Sequence, residues 1–196
     1  MTELHKVIKK RKYEILLTSL LLLLFGNLII PSDYWAHLRP ILLIQNMTVG
    51  LILFFEQKKW RNILLALIII IISLEFTQYF IDSRIHVFTG ITYMLYFLLL
   101  SIKIYQKIYK AKAVGKEVIS AVFCGFIMLT IIGSFIFLLI EVAEPNSFSN
   151  LGLGINKYEN IQYYSFITTL TIGFGDIVPL THTAKQMTIL MGLIGN

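Results

Sequence analysis

The stretch Thr171-Ile172-Gly173-Phe174-Gly175-Asp176 decides the fold, because it is a short polar segment with two glycines between apolar runs. Irregular, glycine-bearing backbone is tolerated at membrane depth only where it is buried in protein or lines a watery path. The stretch just before it, 161–170, is too short to cross a bilayer, which takes about 20 apolar residues. The sequence therefore predicts a half-length helix followed by a glycine-rich strand.

The composition indicates a membrane protein. Of the 196 residues, 57% are hydrophobic and only 14% are charged, and the mean hydropathy is +0.76, well away from an ordinary soluble domain. The net charge of +6 does not predict a nucleic-acid partner, because the basic residues cluster between apolar runs. Cys124 is the only cysteine, so a disulfide within the chain is excluded and a cysteine-based metal site is not expected. No enzyme activity is predicted.

Apolar runs predict five membrane helices, at 15–30, 41–55, 63–81, 87–102 and 118–140. The third and the fifth reach the roughly 17–25 residues of a spanning helix unaided, and the others reach it with flanking residues. A further apolar helix is predicted at 184–195. The first run also resembles a signal peptide behind the basic segment 5–12, but no small-residue cleavage site follows it. A retained helix is therefore expected.

The basic residues predict the orientation. A cytoplasmic N-terminus with alternating sides places thirteen of the seventeen basic residues inside: Lys6, Lys9, Lys10, Arg11, Lys12, Lys58, Lys59, Arg61, Lys103, Lys107, Lys110, Lys112 and Lys116. The remaining four lie outside or at its approach: Arg39, Arg84, Lys157 and Lys185. The same assignment places the entrance of the glycine-rich loop outside.

The last inside group also allows a second interpretation, contact with anionic lipid. Near such a surface each basic residue contributes about 1 kcal/mol. The group consists of Lys103, Lys107, Lys110, Lys112 and Lys116. The plainer interpretation, a basic linker on the cytoplasmic side, is favoured.

The fourth helix contains no basic residue over 87–100; Arg84 precedes it and Lys103 follows it. A voltage sensor carries arginines or lysines repeated through its span, because gating charge must cross the field. We therefore predict little intrinsic voltage dependence.

Glu75 is an acidic residue well inside a predicted span. A carboxylate at membrane depth is costly and suggests sensing of protons or a ligand. Alternatively it is a polar stitch with Gln78 one turn on, bonded to Asn46 or Thr48 of the second helix. The stitch is favoured.

The segment from Tyr163 to Pro179, YYSFITTLTIGFGDIVP, resembles the pore signature of the tetrameric potassium channels. The resemblance in motif covers 163–179, and the layout of the whole chain is similar. It implies an all-α membrane protein with two domains. Residues 1–116 would form four transmembrane helices in the position of a voltage sensor without its charges. Residues 117–196 would form a pore domain of outer helix, half-length pore helix, selectivity filter and partial inner helix.

The resemblance also implies which residues bind the ion. The filter would be Thr171, Ile172, Gly173, Phe174 and Gly175, with K⁺ held by the carbonyls of the first four and by the Thr171 hydroxyl. The two glycines can adopt positive φ, while Ile172 and Phe174 would face away from the pore and pack behind the filter. Asp176 would form a ring of carboxylates at the outer mouth.

Three departures from the family pattern concern the support of the filter. Phe174 stands where tyrosine is usual, Leu170 replaces a threonine, and the pair Tyr163 and Tyr164 replaces tryptophans, so Asp176 is expected to bond a tyrosine hydroxyl. Tyr163, Tyr164 and Thr168 are the expected filter-supporting residues. None of the departures alters a filter carbonyl.

The pore helix is expected to begin with Asn156 as its N-cap and Glu159 at N3, and its C-terminal end carries the negative half of the helix dipole. Gly152 and Gly154 in the preceding loop are interpreted as an ordinary turn. Glu141 and Glu144, at the outer end of the fifth helix, either brace the filter surround or are solvated.

In the last helix the family's hinge glycine falls on Gly195, with Gly192 as a second candidate. Small residues in such helices are more often packing positions. The inner half of this helix is not in the sequence, so a truncated gene model or a fragment is expected.

The resulting expectation is a potassium-selective channel subunit that acts as a homotetramer in a bilayer, because one loop per chain needs closed symmetry to supply four strands. K⁺ is the permeant ion, and no other cofactor is expected. The location expected is a bacterial plasma membrane with the N-terminus in the cytoplasm. The alternatives are a non-conducting membrane subunit and a cation transporter, although such transporters carry four loops in one chain.

Overall fold

The computed structural model describes residues 10–28, 32–78, 85–152 and 155–196. These residues form seven α-helices in chain order: α1 Lys12–Phe25, α2 Ser32–Gly50, α3 Lys58–Gln78, α4 Ile85–Tyr109, α5 Lys116–Ala143, α6 Ile155–Thr169 and α7 His182–Gly195. Short 3₁₀ turns, Gly26–Leu28 and Leu51–Phe54, follow α1 and α2. Over the described ranges the only extended pairing is an isolated bridge between Phe148 and Pro179. The prediction of an all-α membrane protein is confirmed.

Within the described ranges, three helices are long and apolar enough to cross a membrane, namely Lys58–Thr77, Val87–Tyr109 and Lys116–Ala143. They correspond to the third, fourth and fifth predicted spans. The first two predicted spans are shorter in the part of the chain that the structure describes. α1 has 14 residues, and the apolar part of the second element is Ile41–Phe54.

Local sequence explains where α5 ends and where α7 begins. α5 ends at Ala143, two residues before Pro145, whose ring is incompatible with a continued helix. α7 begins after Thr181, whose hydroxyl accepts a hydrogen bond from the Ala184 amide at 3.3 Å, an N-cap. The connection between α4 and α5 is the short segment 110–115, so these two helices are antiparallel neighbours.

The front helices pack on α5 of the same chain. Phe135 of α5 stacks on Tyr93 of α4 with ring centroids 5.7 Å apart, and on Phe97 at 6.1 Å. On α1, the Tyr13 carbonyl lies 3.5 Å from the buried Cys124 sulfur of α5. Buried Tyr96 ties α4 to α2 by donating to the Met47 carbonyl. One continuous apolar core therefore joins the first four helices to α5.

A second core positions α6. Phe137 of α5 packs against Tyr164 of α6 at 5.1 Å between ring centroids, and Phe148 of the following loop contacts both rings. The hydroxyl of Ser165 donates to the Thr130 carbonyl at 2.7 Å across the helix pair. Close packing and one buried hydrogen bond fix the pore-helix candidate against α5.

The partner predicted for Glu75 was wrong. The Tyr93 hydroxyl of α4 donates to Glu75 Oε1 at 3.2 Å. Asn46 instead donates to the Ser19 hydroxyl at 2.9 Å, and Thr48 donates to the Gln45 carbonyl of its own helix at 2.7 Å. The hydrogen bond of Glu75 thus joins α3 to α4, because the long polar side chain of Tyr93 reaches the carboxylate.

Several predicted features lie outside the described residues. They are the positions of Lys6, Lys9, Arg84 and Gly154, and the side chains of Arg39 and Gln78. The prediction of Asn156 as the N-cap of α6 was wrong, because the helix begins one residue earlier, at Ile155, and includes Asn156.

Candidate functional site

The segment after α6 is folded back onto the end of that helix. The Ile172 amide donates to the Ile167 carbonyl at 2.9 Å, and the Thr171 amide donates to the Thr168 carbonyl at 3.0 Å. This pair of bonds, with Thr171 at φ +57°, is a Schellman motif, in which the first residue past the helix adopts the left-handed conformation. The start of the predicted filter, Thr171, is therefore also the left-handed C′ residue that ends α6.

Positive φ recurs at every second residue of this segment. Thr171, Gly173 and Gly175 have φ of +57°, +58° and +79°. The two glycine values are as predicted, and glycine adopts them at no steric cost. For threonine, whose Cβ is branched, the same conformation costs roughly 1–2 kcal/mol. Such strain persists only where the surroundings over-determine it, and it is common at ligand-binding sites.

The carbonyl groups of 171–175 have no hydrogen-bond partner among the described residues. The Gly173 amide also donates to the Ile167 carbonyl, at 3.3 Å, so the amides of 171–173 are satisfied. Among the hydrogen bonds of the described residues, none ends on a carbonyl oxygen of 171–175. A backbone oxygen at membrane depth needs a partner, and these oxygens are free to bind a cation.

Three hydrogen bonds, which we call the outer clasp, hold the C-terminal end of the segment. The Leu180 amide donates to the Ser147 carbonyl at 2.7 Å and the Ser149 amide to the Val178 carbonyl at 3.0 Å. The Asn150 side-chain amide donates to the Asp176 carbonyl at 2.8 Å. The backbone beyond Gly175 is therefore fixed to the loop that follows α5.

The Asp176 carboxylate lies near the Tyr163 hydroxyl of α6, and a hydrogen bond between the two stays a prediction. Tyr164 has a different role: its hydroxyl shares a hydrogen bond of 2.7 Å with the Thr188 hydroxyl of α7. Tyr164 thus ties α6 to α7, while the role of Tyr163 at the outer mouth stays a prediction.

Glu141 is the buried anchor of the clasp. Only 4% of its surface is exposed, and its carboxylate accepts from the amides of Asn146, Ser147 and Phe148 at 3.1, 2.8 and 3.3 Å. The Lys157 ammonium at the start of α6 lies 3.0 Å from Glu141 Oε1. Of the two interpretations left open by the sequence, bracing is the one observed for this residue.

Glu144 is exposed and accepts from the Thr183 hydroxyl at 3.0 Å, which links the end of α5 to the start of α7. Glu144 therefore links the same loop region as Glu141, but from the solvent-exposed side.

The apolar side chains of the filter segment point away from the body of their own chain. Ile172 is 49% exposed and Phe174 is 70% exposed, whereas Thr171, Gly173 and Gly175 line a cavity of about 390 Å³ with Tyr164 and Thr168. Packing behind the filter, as predicted for Ile172 and Phe174, therefore requires neighbouring chains.

The glycines of α7 have a packing role in the structure. A Cβ on Gly195 would overlap the Thr169 carbonyl oxygen at the end of α6, whereas a Cβ on Gly192 would lie 4.0 Å from the Thr168 oxygen. Close approach of α7 to α6 thus explains glycine at 195. The hinge stays a prediction.

Two of the lysines that the sequence predicts on the cytoplasmic side have contacts in the structure. The Lys107 ammonium pairs with Glu117 at 2.8 Å, and the Lys103 ammonium lies 5.6 Å from the centre of the Phe54 ring. Both are held against neighbouring elements.

Sequence reasoning missed Asn150, Ser165 and Thr188. Each is a polar residue in a loop or in an otherwise apolar helix. Many polar residues at such positions are solvated or bond to their own helix, so their presence alone does not predict a contact between elements. Their spacing carries no signal, so only the packing of α5, α6 and α7 identifies them.

Residues 125–196 match a family model described as "Ion channel". The match begins in α5 and includes α6, the filter segment and α7, so it covers the elements of the candidate site. No curated protein and no solved structure matches the chain. The part of the chain from 125 to 196 is thus similar to an ion-channel domain, within an all-α membrane protein, and the match supports the resemblance to the potassium channels. It points to a channel and away from an enzyme.

Proposed function

We propose that the chain is a potassium-selective channel subunit, and that four copies assemble around an axis lined by residues 171–175. The observation that carries the proposal is the filter backbone. Its amides at 171–173 are bonded back to α6, while its carbonyls have no partner in the described residues. Rings of such oxygens replace the hydration shell of K⁺ in the potassium filter.

The residue roles follow from this arrangement. K⁺ is coordinated by the carbonyls of Thr171, Ile172, Gly173 and Phe174 and by the Thr171 hydroxyl. The carboxylates of Asp176 raise the local concentration of cations at the outer mouth. The helix α6 is 15 residues long. Its C-terminal end directs the partial negative charge of the helix dipole to the inner side of the filter.

Closed fourfold symmetry supplies the remaining strands, since one chain carries one filter segment. Exposed Ile172 and Phe174 support this assembly, because neighbouring copies would cover them. The positive-inside distribution supports a cytoplasmic N-terminus and an outward-facing filter in a bacterial plasma membrane. Residues 1–116 form the peripheral helical domain and 117–196 the pore domain.

Cation flux from liposomes that contain the full chain tests the proposal. We expect K⁺ efflux down its gradient and little Na⁺ efflux under the same conditions. Equal K⁺ and Na⁺ permeability would remove the selectivity, and no flux from confirmed tetramers would contradict the channel itself.

Gly175→Ala and Gly152→Ala form a matched pair for this assay. Both glycines have positive φ, +79° and +70°, so alanine costs each roughly 1–2 kcal/mol. Gly175 has no neighbour within 4 Å of an added Cβ, so its effect comes from the backbone conformation. We expect Gly175→Ala to stop K⁺ flux and Gly152→Ala, in the external loop, to preserve it.

A further inference from the structure

An apolar groove runs along the outside of the pore domain, between α4, α5 and α7. Its volume is about 600 Å³, within the range of about 300–1,000 Å³ that is typical of ligand sites. Leu98, Ile102 and Tyr105 line it from α4, and Ile132 of α5 and Met191 of α7 line the other walls. Its lining is apolar almost throughout, apart from its inner end.

The groove has the length of one membrane leaflet. The α4 residues along it run from Leu98 to Lys110, and at about 1.5 Å per residue this is about 18 Å. One leaflet of a hydrocarbon core of about 30 Å is about 15 Å deep. A single acyl chain in one leaflet therefore matches the groove from end to end.

One end of the groove carries a free positive charge. Lys110 follows the last residue of α4 and lies in the groove wall. Lys107, one turn earlier, is paired with Glu117 at 2.8 Å, and Lys103 lies over the Phe54 ring. Of these three lysines, Lys110 is the one placed both at the groove and at the level of the basic linker 110–116.

We propose that this groove binds one acyl chain of an anionic phospholipid, with the lipid phosphate at Lys110. The wall from α7 makes the site part of the pore domain: Met187, Met191 and Ile194 line it, and methionine side chains adapt to an irregular partner. Bound lipid would thus contact the inner helix directly. This site is separate from the filter and does not depend on K⁺ selectivity.

The headgroup sets the preference for one lipid over another. Lipid tails in the bilayer are as apolar as the groove, so any phospholipid chain gains little from the apolar walls. One lysine near an anionic headgroup contributes about 1 kcal/mol, which is a factor of about five in affinity.

Native mass spectrometry of the full chain in detergent, titrated with phosphatidylglycerol or phosphatidylcholine, tests the site. We expect phosphatidylglycerol to bind tighter, and Lys110→Gln to weaken it about fivefold. Lys116→Gln is the matched control, because it removes the same charge at the start of α5, away from the groove. If both variants lost the same amount of phosphatidylglycerol affinity, the preference would come from general attraction to the basic surface, and the proposal would be overturned.

A second pair of variants tests the groove itself. Ile102→Trp fills it, and Leu95→Trp places the same ring at a similarly exposed α4 position outside it; the two residues are 48% and 43% exposed. We expect only Ile102→Trp to reduce phosphatidylglycerol binding, with the oligomeric state unchanged. Loss of the tetramer in Ile102→Trp, with no change in lipid binding, would show that a second copy covers the groove and would overturn the proposal.

Discussion

At the scale of single residues, Thr171 combines two requirements that favour different side chains. As the residue past the end of α6 it has φ +57°, a position where helices usually place glycine. As the proposed innermost ion ligand it must supply a hydroxyl, which glycine lacks. Threonine at this position indicates that ligand chemistry takes precedence over local backbone strain.

Thr171→Gly separates the two requirements. Relief of roughly 1–2 kcal/mol of strain is partly offset by the greater freedom of glycine in the unfolded chain, about 0.5–1 kcal/mol. We expect thermal denaturation to show unchanged or slightly higher stability, while K⁺ flux and K⁺ over Na⁺ selectivity fall. Thr171→Ser, which keeps the hydroxyl, is expected to retain selectivity. Wild-type selectivity in Thr171→Gly would exclude the hydroxyl as a ligand.

Glu141 anchors the outer clasp through three backbone amides and the Lys157 ammonium. Glu141→Gln replaces one acceptor oxygen by a donor that faces backbone amides, and it removes the pairing with Lys157. An unsatisfied buried group costs about 1–3 kcal/mol, so we expect a clear loss of stability in thermal denaturation of the detergent-solubilised protein. Glu144→Gln, at an exposed carboxylate, is the control and is expected to lie within about 0.5 kcal/mol of wild type. Equal stabilities of the two variants would contradict the anchoring role.

At the scale of elements, the contact between α6 and α7 holds the filter in place from the inner side. Tyr164 and Thr188 join the two helices by a hydrogen bond of 2.7 Å, and Gly195 allows α7 to lie against the Thr169 carbonyl. The last turn of α6 and its Schellman motif are thus supported by α7.

Gly195→Ala and Gly192→Ala test that contact. Alanine raises helix propensity by up to about 1 kcal/mol at either position, but only at 195 does its Cβ overlap backbone, where overpacking costs about 1–3 kcal/mol. We expect Gly195→Ala to be less stable than wild type, and Gly192→Ala to be equal or more stable, in denaturant titration. Equal stability of the two variants would show that α7 does not press on α6.

The apolar runs predicted α3, α4 and α5 well, because each run is long and bounded by charged or helix-breaking residues. The start of α2 at Ser32 could not be predicted from its apolar run, since polar residues such as Asp33 and Arg39 interrupt the pattern there. The positive φ of Gly173 and Gly175 followed from residue type, whereas that of Thr171 did not. The partners of Glu75 and Glu141 depend on helix packing and on loop amides, which leave no trace in sequence spacing.

At the scale of the whole molecule, the group of front helices packs on α5 of the same chain through Tyr93, Phe97 and Phe135. Its fourth helix has no basic residue over 87–100. The lysines at its inner end are held by Glu117 and by the Phe54 ring. We therefore expect this group of helices to carry little charge that can move in an electric field.

The expected consequence is a nearly flat relation between conductance and voltage. Each elementary charge that crosses the membrane field contributes about 2.3 kcal/mol per 100 mV, and steep gating takes about 3–4 such charges in each subunit. Planar bilayer recordings in symmetric K⁺, without blocker, measure this directly. A steep sigmoidal curve would show that other groups carry gating charge.

The central claim is that free carbonyls of four chains form a K⁺ site, and an electron cryo-microscopy map of the assembled protein in KCl tests it most directly. We predict fourfold symmetry, with ion density on the axis between the carbonyl rings of Thr171, Ile172, Gly173 and Phe174, and a changed density when Na⁺ replaces K⁺. An assembly without a fourfold axis, or one in which these carbonyls bond to protein groups of neighbouring chains, would contradict the account.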